Sequence, residues 1–376
     1  MASLKELREQ LDGIDAQIIS LYEQRMSVCA QVADYKIKNG KGVYDREREQ
    51  QKLVAAMAQV EDVYHKKGVK ELFELLMSIS RKLQYRKIAE QGGMGKLPFI
   101  ETEHPDTAHA KIVFQGVEGA YSEAALRQYF GKEAEAYHVR TWRDAMEAIE
   151  DGEADFAVLP IENSSAGAVD EVYNLLVEFE NYILGETVLP VNHVLAGLPG
   201  SKEEAVTRVY SHPQGLMQCE KYLHNHMTME KISVDNTAVA AKRIVEEQNP
   251  SYAAICSAYA AELYGLEILR TQINDNSQNS TRFIIVTNQK IFLDNAKKIS
   301  ICFELPHESG SLYQLLSHFI YNDLNMTKIE SRPIEDRPWE YRFFVDFEGN
   351  LADGAVKNAI RGLREEAKNL RILGNY

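Results

Sequence analysis

The sequence is poor in the features that mark secreted, membrane-bound and metal-binding proteins. Its 376 residues contain four cysteines, which are far apart and show no paired spacing: Cys29, Cys219, Cys256 and Cys302. This favours small buried side chains in a reducing cytoplasm over a disulfide framework or a zinc site. No apolar run approaches the roughly 18 residues of a membrane helix, and the N-terminus has no apolar signal region. We therefore expect a cytoplasmic protein with no membrane partner and no metal.

Positive charge is also scarce, since the formal net charge is −14. This argues against a nucleic acid as the main partner. The charge is uneven, because residues 1–96 hold 17 Lys and Arg against 14 Asp and Glu, whereas the remainder holds 25 against 42. A relatively basic first segment could attract a small anionic substrate, although surface solvation alone explains the bias equally well.

The length exceeds what one hydrophobic core usually supports, and the first segment, residues 1–92, is predicted to be an all-α domain. Apolar residues recur at steps of three and four and predict a helix over about residues 3–38, ended by Asn39-Gly40: Leu4, Leu7, Leu11, Ile14, Ile18, Leu21, Val28, Val32 and Tyr35. A second helix is predicted from Asp45 to about residue 59. A third covers about 67–90, with Leu72, Leu75, Leu76, Ile79 and Leu83 as its stripe. A first helix of roughly 50 Å in so small a module suggests a dimer that shares its core.

Two further domains follow a predicted linker at residues 91–109. Residues 109–288 show strand-like runs between amphipathic helices, at 111–115, 156–160, 253–255 and 282–287, which predicts an α/β domain. Residues 297–376 read strand-helix-strand-strand-helix-strand, the order of an α+β ferredoxin-like domain. We expect a multidomain protein of these three fold classes.

Arg25 is the most informative residue of the helical segment. A guanidinium in a seam of Leu, Ile and Val destabilises the fold unless an anion or a polar partner meets it. Other polar residues are predicted on the inner faces of the same three helices: Lys36, Arg46, Glu47, Ser80 and Gln84. Together they would offer donors for carboxylates and an acceptor for a hydroxyl, although each charge taken alone is more typical of a solvated face.

These residues, with Leu4-Lys5-Glu6-Leu7-Arg8 and Asp45-Arg46-Glu47, resemble the all-helical chorismate mutase family. The resemblance implies the rearrangement of chorismate to prephenate without a covalent intermediate or a cofactor. By the resemblance, Arg8 and Arg25 hold the two carboxylates, and Lys36 and Gln84 donate to the ether oxygen. Glu47 accepts from the ring hydroxyl, while Arg46 and Ser80 support the site. Val43 occupies a position that is acidic in some members.

Arg8 lies about 25 Å along the helix from Arg25, at 1.5 Å per residue, and about 100° around it. It cannot reach the same ligand from the same chain. An antiparallel partner helix could bring it there, so the spacing predicts a homodimer with shared sites. A higher oligomer in the presence of phenylalanine stays open.

The middle segment contains three small polar turns, each after a strand-like run and before a helix: Gly116–Ser122, Pro160–Gly167 and Asp235–Ala238. Such turns direct backbone N–H groups outward and can bind anions. Three of them suggest a two-lobed, periplasmic-binding-like α/β domain that closes on a small acid. A fourth element is Thr281-Arg282-Phe283 at the entry to a strand, which taken alone is an ordinary strand start.

Residues 111–287 resemble the prephenate dehydratase family through Gly119-Ala120-Tyr121-Ser122, Pro160-Ile161-Glu162-Asn163-Ser164-Ser165, Ser211-His212-Pro213-Gln214 and Thr281-Arg282-Phe283. The resemblance implies loss of CO₂ and water from prephenate to give phenylpyruvate. It makes Thr281 the principal catalytic residue, a hydrogen-bond donor to the leaving hydroxyl. Ser122, Asn163, Ser164, Thr237, Arg282 and Phe283 would bind substrate, and His212 would hold its loop.

The tail resembles the amino-acid-sensing ACT domain through Gly310-Ser311-Leu312-Tyr313 and Glu330-Ser331-Arg332-Pro333. The resemblance implies that Gly310, Ser311, Leu312 and Glu330–Pro333 bind L-phenylalanine, the pathway product, as a feedback inhibitor. Gly310 permits a close backbone approach at a helix start.

Two other functions compete with this bifunctional enzyme of phenylalanine biosynthesis. A non-enzymatic binder fused to an amino-acid sensor would explain the polar turns and the tail, but it leaves Arg25 and Lys36 unexplained. A mutase–dehydrogenase fusion would need a dinucleotide fingerprint after a strand. Gly93-Met94-Gly95 lacks both a third glycine and a preceding strand.

Overall fold

A computed structural model of the chain describes residues 2–90, 97–105, 107–305, 308, 310–335 and 337–376. The chain forms two compact units. The first unit combines Met1–Pro98 with Lys297–Ile372, and the second combines Phe99–Ala296 with Leu373–Tyr376. The helical segment and most of the tail, which the sequence predicts as separate domains, therefore share one unit. Gly93-Met94-Gly95 lies outside the described residues.

The elements are numbered in chain order. The helices are α1 (Leu4–Lys38), α2 (Arg46–Met57), α3 (Val63–Glu90), α4 (Tyr121–Phe130), α5 (Trp142–Glu150), α6 (Asp170–Glu178), α7 (Pro213–Gln218), α8 (Glu220–His224), α9 (Thr237–Glu247), α10 (Ala258–Leu263), α11 (Ser311–Tyr321) and α12 (Gly354–Glu366). The strands are β1 (Ile100–Thr102), β2 (Ile112–Gln115), β3 (Ala136–Val139), β4 (Phe156–Asn163), β5 (Gly167–Ala168), β6 (Tyr182–Pro190), β7 (His193–Gly197), β8 (Arg208–Ser211), β9 (Glu230–Ser233), β10 (Tyr252–Ser257), β11 (Glu267–Arg270), β12 (Ser280–Thr287), β13 (Ile291–Leu293), β14 (Lys298–Glu304), β15 (Met326–Ile334), β16 (Arg337–Glu348) and β17 (Lys368–Asn375).

The three predicted helices of the first unit are present. Ser3 and Glu6 form a capping box at the start of α1, and Asp45 accepts a hydrogen bond from the Arg48 N–H at the start of α2. These contacts satisfy N–H groups that have no partner within the helix. Helix α3 begins at Val63, four residues before the predicted start.

The tail of the first unit has the predicted strand-helix-strand-strand-helix-strand order. Its strands lie in the order β15-β16-β14-β17, and Lys298–Glu304 pairs antiparallel with β16 in continuous register. Strand β15 is the outer strand of this order. The apolar ending predicted at Leu370–Leu373 forms part of β17.

The predicted apolar stripe of α3 is exposed at its N-terminal end in one chain, where Leu72 is 50% exposed and Leu75 is 44% exposed. The buried side chains lie further along the helix and include charged ones: Met77, Ser78, Ser80, Arg81, Lys82, Gln84, Tyr85 and Ile88. This second face is buried because α3 packs against α12 of the tail as well as against α1 and α2.

Arg81 is the centre of the polar contacts on this face. Its guanidinium binds Glu49 of α2 and donates to Glu366 of α12 over 2.9 Å. His318 of α11 lies 3.2 Å from the same Glu366 oxygen. Burial opposes ionisation of Glu366, but His318 and the charge of Arg81 hold its pKa below the usual value. Buried charges that meet in this way fix the relative placement of the helices that carry them.

The second unit contains two sheets. One has the strand order β3-β2-β4-β12-β6, with Gly374 of β17 parallel to Ile183 of β6, and the other has the order β9-β8-β10-β7-β11. The chain passes from the first sheet to the second between β6 and β7, and it returns between β11 and β12. The unit is thus two-lobed, as predicted, with two chain crossings between its lobes.

Part of the predicted linker forms a β-strand. Ile100–Thr102 forms β1, which pairs in parallel with Ile291–Leu293 of β13. Among the described residues, no helix is long and apolar enough to cross a membrane. All four cysteines are free thiols.

Replacing Glu366 by Gln is expected to lower the free energy of opening of α3 by about 3 kcal/mol at pH 7, because Arg81 loses a buried counter-charge. The pKa of Glu366 is depressed in the folded protein, so this stabilisation is present above the ordinary carboxyl pKa and is lost as the pH falls. The difference from the parent should therefore shrink as the pH falls below about 4. Amide hydrogen exchange of α3 measures both effects.

The control is Glu178→Gln, which removes an exposed ion pair with Arg143 and should change stability by less than about 1 kcal/mol. A pH-independent effect of Glu366→Gln, or one no larger than the control's, would contradict the account.

Candidate functional sites

The Arg25 side chain of α1 reaches α3. Its guanidinium donates to the Leu76 carbonyl over 2.9 Å and to the Ser80 hydroxyl over 2.5 Å. The Ser80 hydroxyl in turn donates to the Leu76 carbonyl over 2.6 Å. Both acceptors are uncharged, so these contacts orient Arg25 without neutralising its charge. In these contacts the guanidinium meets no carboxylate.

Lys36 meets a backbone carbonyl at the start of α2. Its ammonium group donates to the Val43 carbonyl over 2.5 Å. The Val43 side chain is buried against Tyr85 and Ile88, with Ile37 beside them. The residue at the position that is acidic in some chorismate mutases thus belongs to the hydrophobic core here, and its carbonyl is the group that faces Lys36.

The remaining predicted residues of this site are distributed along the bundle. Gln84 lies one turn beyond Ser80 on α3, is 6% exposed, and its side-chain oxygen has no hydrogen-bond partner. Arg46 and Glu47 are exposed on α2, where Arg46 pairs with Glu308 of the tail. Arg8 is exposed near the start of α1. One chain therefore brings Arg25 and Ser80 into contact and leaves Arg8 distant.

In the second unit, Thr281 and Asn163 lie opposite each other on the paired strands β12 and β4. The Asn163 amide group donates to the Thr281 hydroxyl oxygen over 2.9 Å, and also faces the Asn279 side-chain oxygen at 3.0 Å. The Asn163 oxygen accepts from the N–H groups of Ser165 and Ala166, which fixes the orientation of the amide. The Thr281 hydroxyl is thus an acceptor towards Asn163, and its own proton is directed to another group.

Ser164 is held beside this pair. Its N–H donates to the Ser280 carbonyl over 2.9 Å, and its hydroxyl accepts from the Ser280 N–H over 3.0 Å. The second predicted polar turn and the Thr281 strand therefore form one site.

A cavity of about 310 Å³ lies next to this site, lined by Ser165, Gln214, Met217, Gln218, Asn274, Asp275, Asn276 and Asn279. Asn279 joins the cavity to the Asn163–Thr281 pair and is almost fully buried. Sequence reasoning did not select Asn279 as a site residue. Its position two residues before the Thr281-Arg282-Phe283 motif was the available signal.

A second missed feature is a chain of hydrogen bonds through His193, at the first residue of β7. The Tyr121 hydroxyl lies 3.1 Å from His193 Nδ1, and His193 Nε2 lies 3.0 Å from the Gln218 side-chain oxygen. Burial lowers the pKa of His193, which favours the neutral ring. With the Gln218 oxygen as its acceptor, Nε2 carries the proton. The Tyr121 hydroxyl shares its single proton between His193 Nδ1 and the Asn192 carbonyl, which also lies 3.1 Å away. The chain holds Gln218 at the cavity wall.

The first and third predicted turns lie together. A Cβ atom added to Gly116 would come within 3.8 Å of the Asn236 amide nitrogen, and Asn236 caps α9 through the Val239 N–H. Ser122 and Thr237 lie in the first turns of α4 and α9, and both are mostly buried. His212 caps α7, consistent with its predicted role in holding the loop.

The surroundings of Arg282 and Phe283 do not favour their predicted role in substrate binding. The Arg282 guanidinium lies 3.2 Å from Glu162 and 3.1 Å from Glu186, so carboxylates of the protein already face its charge. Phe283 is 2% exposed and packs in a core cluster with Phe114 and Phe156. Burial in this core keeps the Phe283 ring from an incoming ligand.

The predicted effector residues lie in the first unit. Gly310 precedes α11 with a φ of 81°, a conformation that favours glycine, and Ser311 and Leu312 form the first turn of the helix. Glu330–Pro333 lies on β15, in register with residues 341–344 of β16. Both segments leave part of their surface exposed.

Two family models match the chain: chorismate mutase type II over residues 7–85 and prephenate dehydratase over residues 112–291. A bifunctional chorismate mutase/prephenate dehydratase from Pseudomonas aeruginosa is 32% identical and covers 99% of this chain and 97% of its own length. Arogenate dehydratase/prephenate dehydratase 6, chloroplastic, from Arabidopsis thaliana is 41% identical over 72% of this chain and 69% of its own length.

The crystal structure of prephenate dehydratase in complex with L-Phe from Arthrobacter aurescens is also similar. It has a TM-score of 0.66 at 31% identity, covering 71% of this chain and 89% of that one.

The two matched regions, each with its own polar site, define a two-activity enzyme that combines an isomerase and a carbon–oxygen lyase. The chain belongs to the bifunctional chorismate mutase/prephenate dehydratase family. It converts chorismate to prephenate and prephenate to phenylpyruvate, in the biosynthesis of phenylalanine.

Asn279→Ala is expected to lower prephenate dehydratase kcat/KM about 10- to 100-fold, because the Asn163 amide loses a partner beside Thr281. The mutase rate of the same protein is the internal control and should stay unchanged. Phenylpyruvate formation from added prephenate measures the first rate, and loss of chorismate absorbance measures the second. Parental dehydratase activity in Asn279→Ala would exclude a positioning role for Asn279.

Proposed function

We propose that the two reactions take place at the sites built around Arg25 and around Thr281, and that L-phenylalanine inhibits the enzyme through its tail. The observation that carries the proposal for the second reaction is the Asn163–Thr281 contact, which leaves the Thr281 proton available. The corresponding observation for the first reaction is that Arg25 meets only uncharged oxygens in its hydrogen bonds to α3.

In the mutase reaction, a C–O bond of chorismate breaks and a C–C bond forms within one molecule, while negative charge builds on the ether oxygen. Arg25 and the partner subunit's Arg8 hold the two carboxylates and so fold the substrate into a reactive conformer. Lys36 and Gln84 donate to the ether oxygen. Glu47 accepts from the ring hydroxyl, and Arg46 and Ser80 support these groups.

This site requires two copies of the chain. The apolar seam of α1 is exposed in one chain, with Leu11 57% and Ile18 55% exposed. Exposed apolar stripes of this length are buried in helical bundles by a partner helix. We therefore propose a homodimer in which α1 of each chain covers the other.

In the dehydratase reaction, the ring carboxylate of prephenate leaves as CO₂, and the electrons of the broken C–C bond enter the ring. The ring hydroxyl takes up one proton from solvent and leaves as water, which completes the aromatic ring. Thr281 donates a hydrogen bond to this hydroxyl as it leaves. Asn163, Ser164, Ser122 and Thr237 bind the carboxylates and hydroxyl, and neither Arg282 nor Phe283 contacts the substrate.

We further propose that residues 297–376 form an ACT-type regulatory domain of a cytoplasmic enzyme. The related Arthrobacter aurescens protein was crystallised with L-Phe. The N–H groups at the start of α11 favour a carboxylate, and Gly310 lets a ligand approach the backbone. Glu330–Pro333 supplies the second wall of the effector site.

Arg25→Ala and Thr281→Ala should separate the two reactions. Loss of a positioned donor typically costs about 10²–10³-fold in rate. Arg25→Ala should therefore lose the mutase activity by at least this factor and still consume added prephenate. Thr281→Ala should convert chorismate to prephenate and then stop. Absorbance assays with each substrate measure both steps, and equal loss of both activities in either variant would contradict separate sites.

Dehydratase activity should fall when L-phenylalanine reaches millimolar concentration, and Gly310→Val should weaken this response by at least tenfold. A valine at φ 81° is strained, so the helix start that binds the carboxylate is displaced. Dose–response curves of parent and variant measure the effect. Parental activity that is unchanged by millimolar L-phenylalanine would refute feedback inhibition.

A further inference from the structure

A cavity of about 640 Å³ in the first unit lies apart from the predicted mutase and effector residues. It is formed by side chains of α1 and α3, by the C-terminal end of α11 and by the N-terminal end of α12. The predicted effector residue Gly310 lies at the opposite end of α11, about 16 Å away along an 11-residue helix. The volume is in the range of small-molecule sites.

One wall of the cavity carries a buried cation. Lys82 is 2% exposed, donates to the Ser317 hydroxyl over 2.7 Å and lies 4.8 Å from the centre of the Tyr321 ring. Burial lowers the pKa of Lys82 to about 8. The nearby Glu366 raises this pKa through space, but Glu366 is already bound by Arg81. Lys82 thus has a hydroxyl and an aromatic face as its contacts, and a carboxylate ligand would compensate its charge.

The start of α12 adds donors to the same cavity. Gly354 and Ala355 line it, and they lie in the first turn of a 13-residue helix. The N-cap residue Asp353 makes no side-chain capping bond to α12, because its carboxylate accepts from the Asn350 N–H instead. The first-turn N–H groups are therefore available to a carboxylate.

The side-chain oxygen of Asn358 accepts no hydrogen bond. The Asn322 amide group donates to the His318 carbonyl over 2.7 Å, so the Asn322 oxygen must accept from the Asn358 amide group, also over 2.7 Å. This fixes the Asn358 amide, whose oxygen is left without a partner while the residue is only 7% exposed. Asn358 lines the cavity beside Asp323, at the C-terminal end of α11. An acceptor, a carboxylate and a helix C-terminus at one end of a cavity favour a bound ammonium group.

Two further charged residues, Glu23 of α1 and Arg86 of α3, also line the cavity, and the rest of its wall is aromatic and apolar. Tyr22 and Met26 of α1, Leu83 of α3 and Tyr321 of α11 line it, and the Tyr22 hydroxyl interacts with Tyr321. Rings of this kind pack against another ring or a large apolar group.

We propose that this cavity binds an α-amino acid with an aromatic or large apolar side chain, as a zwitterion, at a site separate from the predicted effector residues. Its carboxylate meets Lys82 and the start of α12. Its ammonium group meets Asn358 and Asp323, and its side chain packs between the two tyrosines. The site joins α3, which carries Ser80 and Gln84, to the tail. This assignment goes beyond the proposed inhibition through Gly310, and it does not depend on that inhibition.

The test measures binding of L-phenylalanine, L-tyrosine and L-tryptophan to the full chain by isothermal titration calorimetry, in a Gly310→Val background that disables the predicted effector site. At least one of the three should bind, and Lys82→Met and Asn358→Leu should each weaken it at least tenfold. Lys87→Met is the matched control, since Lys87 lies on the same helix, pairs with Asp34 and does not line the cavity. It should leave the affinity unchanged.

Two analogues test the zwitterion directly. Phenylpyruvate lacks the ammonium group and phenethylamine lacks the carboxylate, so each should bind at least tenfold more weakly than L-phenylalanine at this site. In the parent protein, the bound amino acid should also slow amide hydrogen exchange in the first turn of α12, which checks the site if a variant fails to fold by circular dichroism.

The proposal is overturned if none of the three amino acids binds in the Gly310→Val background. It is equally overturned if binding there is unaffected by Lys82→Met and Asn358→Leu, or if exchange at the start of α12 is unchanged by ligand. Because all these measurements follow binding rather than turnover, failure here leaves the two proposed catalytic sites untouched.

Discussion

The first unit depends on one constraint: a cation buried among apolar helices must meet a partner. Three cations on or facing α3 satisfy it in different ways. Arg81 meets two carboxylates, Glu49 and Glu366, and thereby joins the helical segment to the tail. Arg25 meets two uncharged oxygens, and Lys82 a hydroxyl and a ring. The cation that pairs with carboxylates joins the helical segment to the tail, and the two cations with uncharged partners are the ones for which we propose anionic ligands.

In the second unit, hydrogen bonds between neutral groups fix the side chains of the site. The Asn163 amide is fixed by backbone N–H groups on one side, so its other side can hold the Thr281 hydroxyl in a single orientation. His193, held neutral by burial, fixes Gln218 at the wall of the adjacent cavity. These residues lie near the two places where the chain crosses between the lobes. Hydrogen bonds can thus hold Asn163, Thr281 and Gln218 in place, while each lobe keeps its own hydrophobic core.

The sequence allowed prediction of the long helices and of the ferredoxin-like order, because apolar periodicity and caps act locally. Several strands of the second unit were not predicted, among them β6, β7, β8 and β11. Strands β3 and β9 were also not predicted, since each has four residues and a mixed composition. The face of α3 that carries Arg81 and Lys82 was also missed, because a helix with two buried faces shows no single stripe. The burial of Phe283 was not predicted for a related reason, since a motif places a residue near a site and only packing decides how much of its ring is exposed. Asn279 became visible once strands β4 and β12 were paired, which links residues over a hundred positions apart.

We propose that Arg25 binds one carboxylate of the substrate and that the partner subunit's Arg8 binds the other. The most direct measurement mixes Arg8→Ala and Arg25→Ala chains after dissociation and reassembly. Each variant alone should be inactive as a mutase. After equal mixing, half of all reassembled dimers pair the two variants and hold one intact site of two, so about a quarter of the parental activity should return. Mutase activity that stays absent in verified mixed dimers, or an Arg8→Ala chain that is fully active alone, would contradict the account.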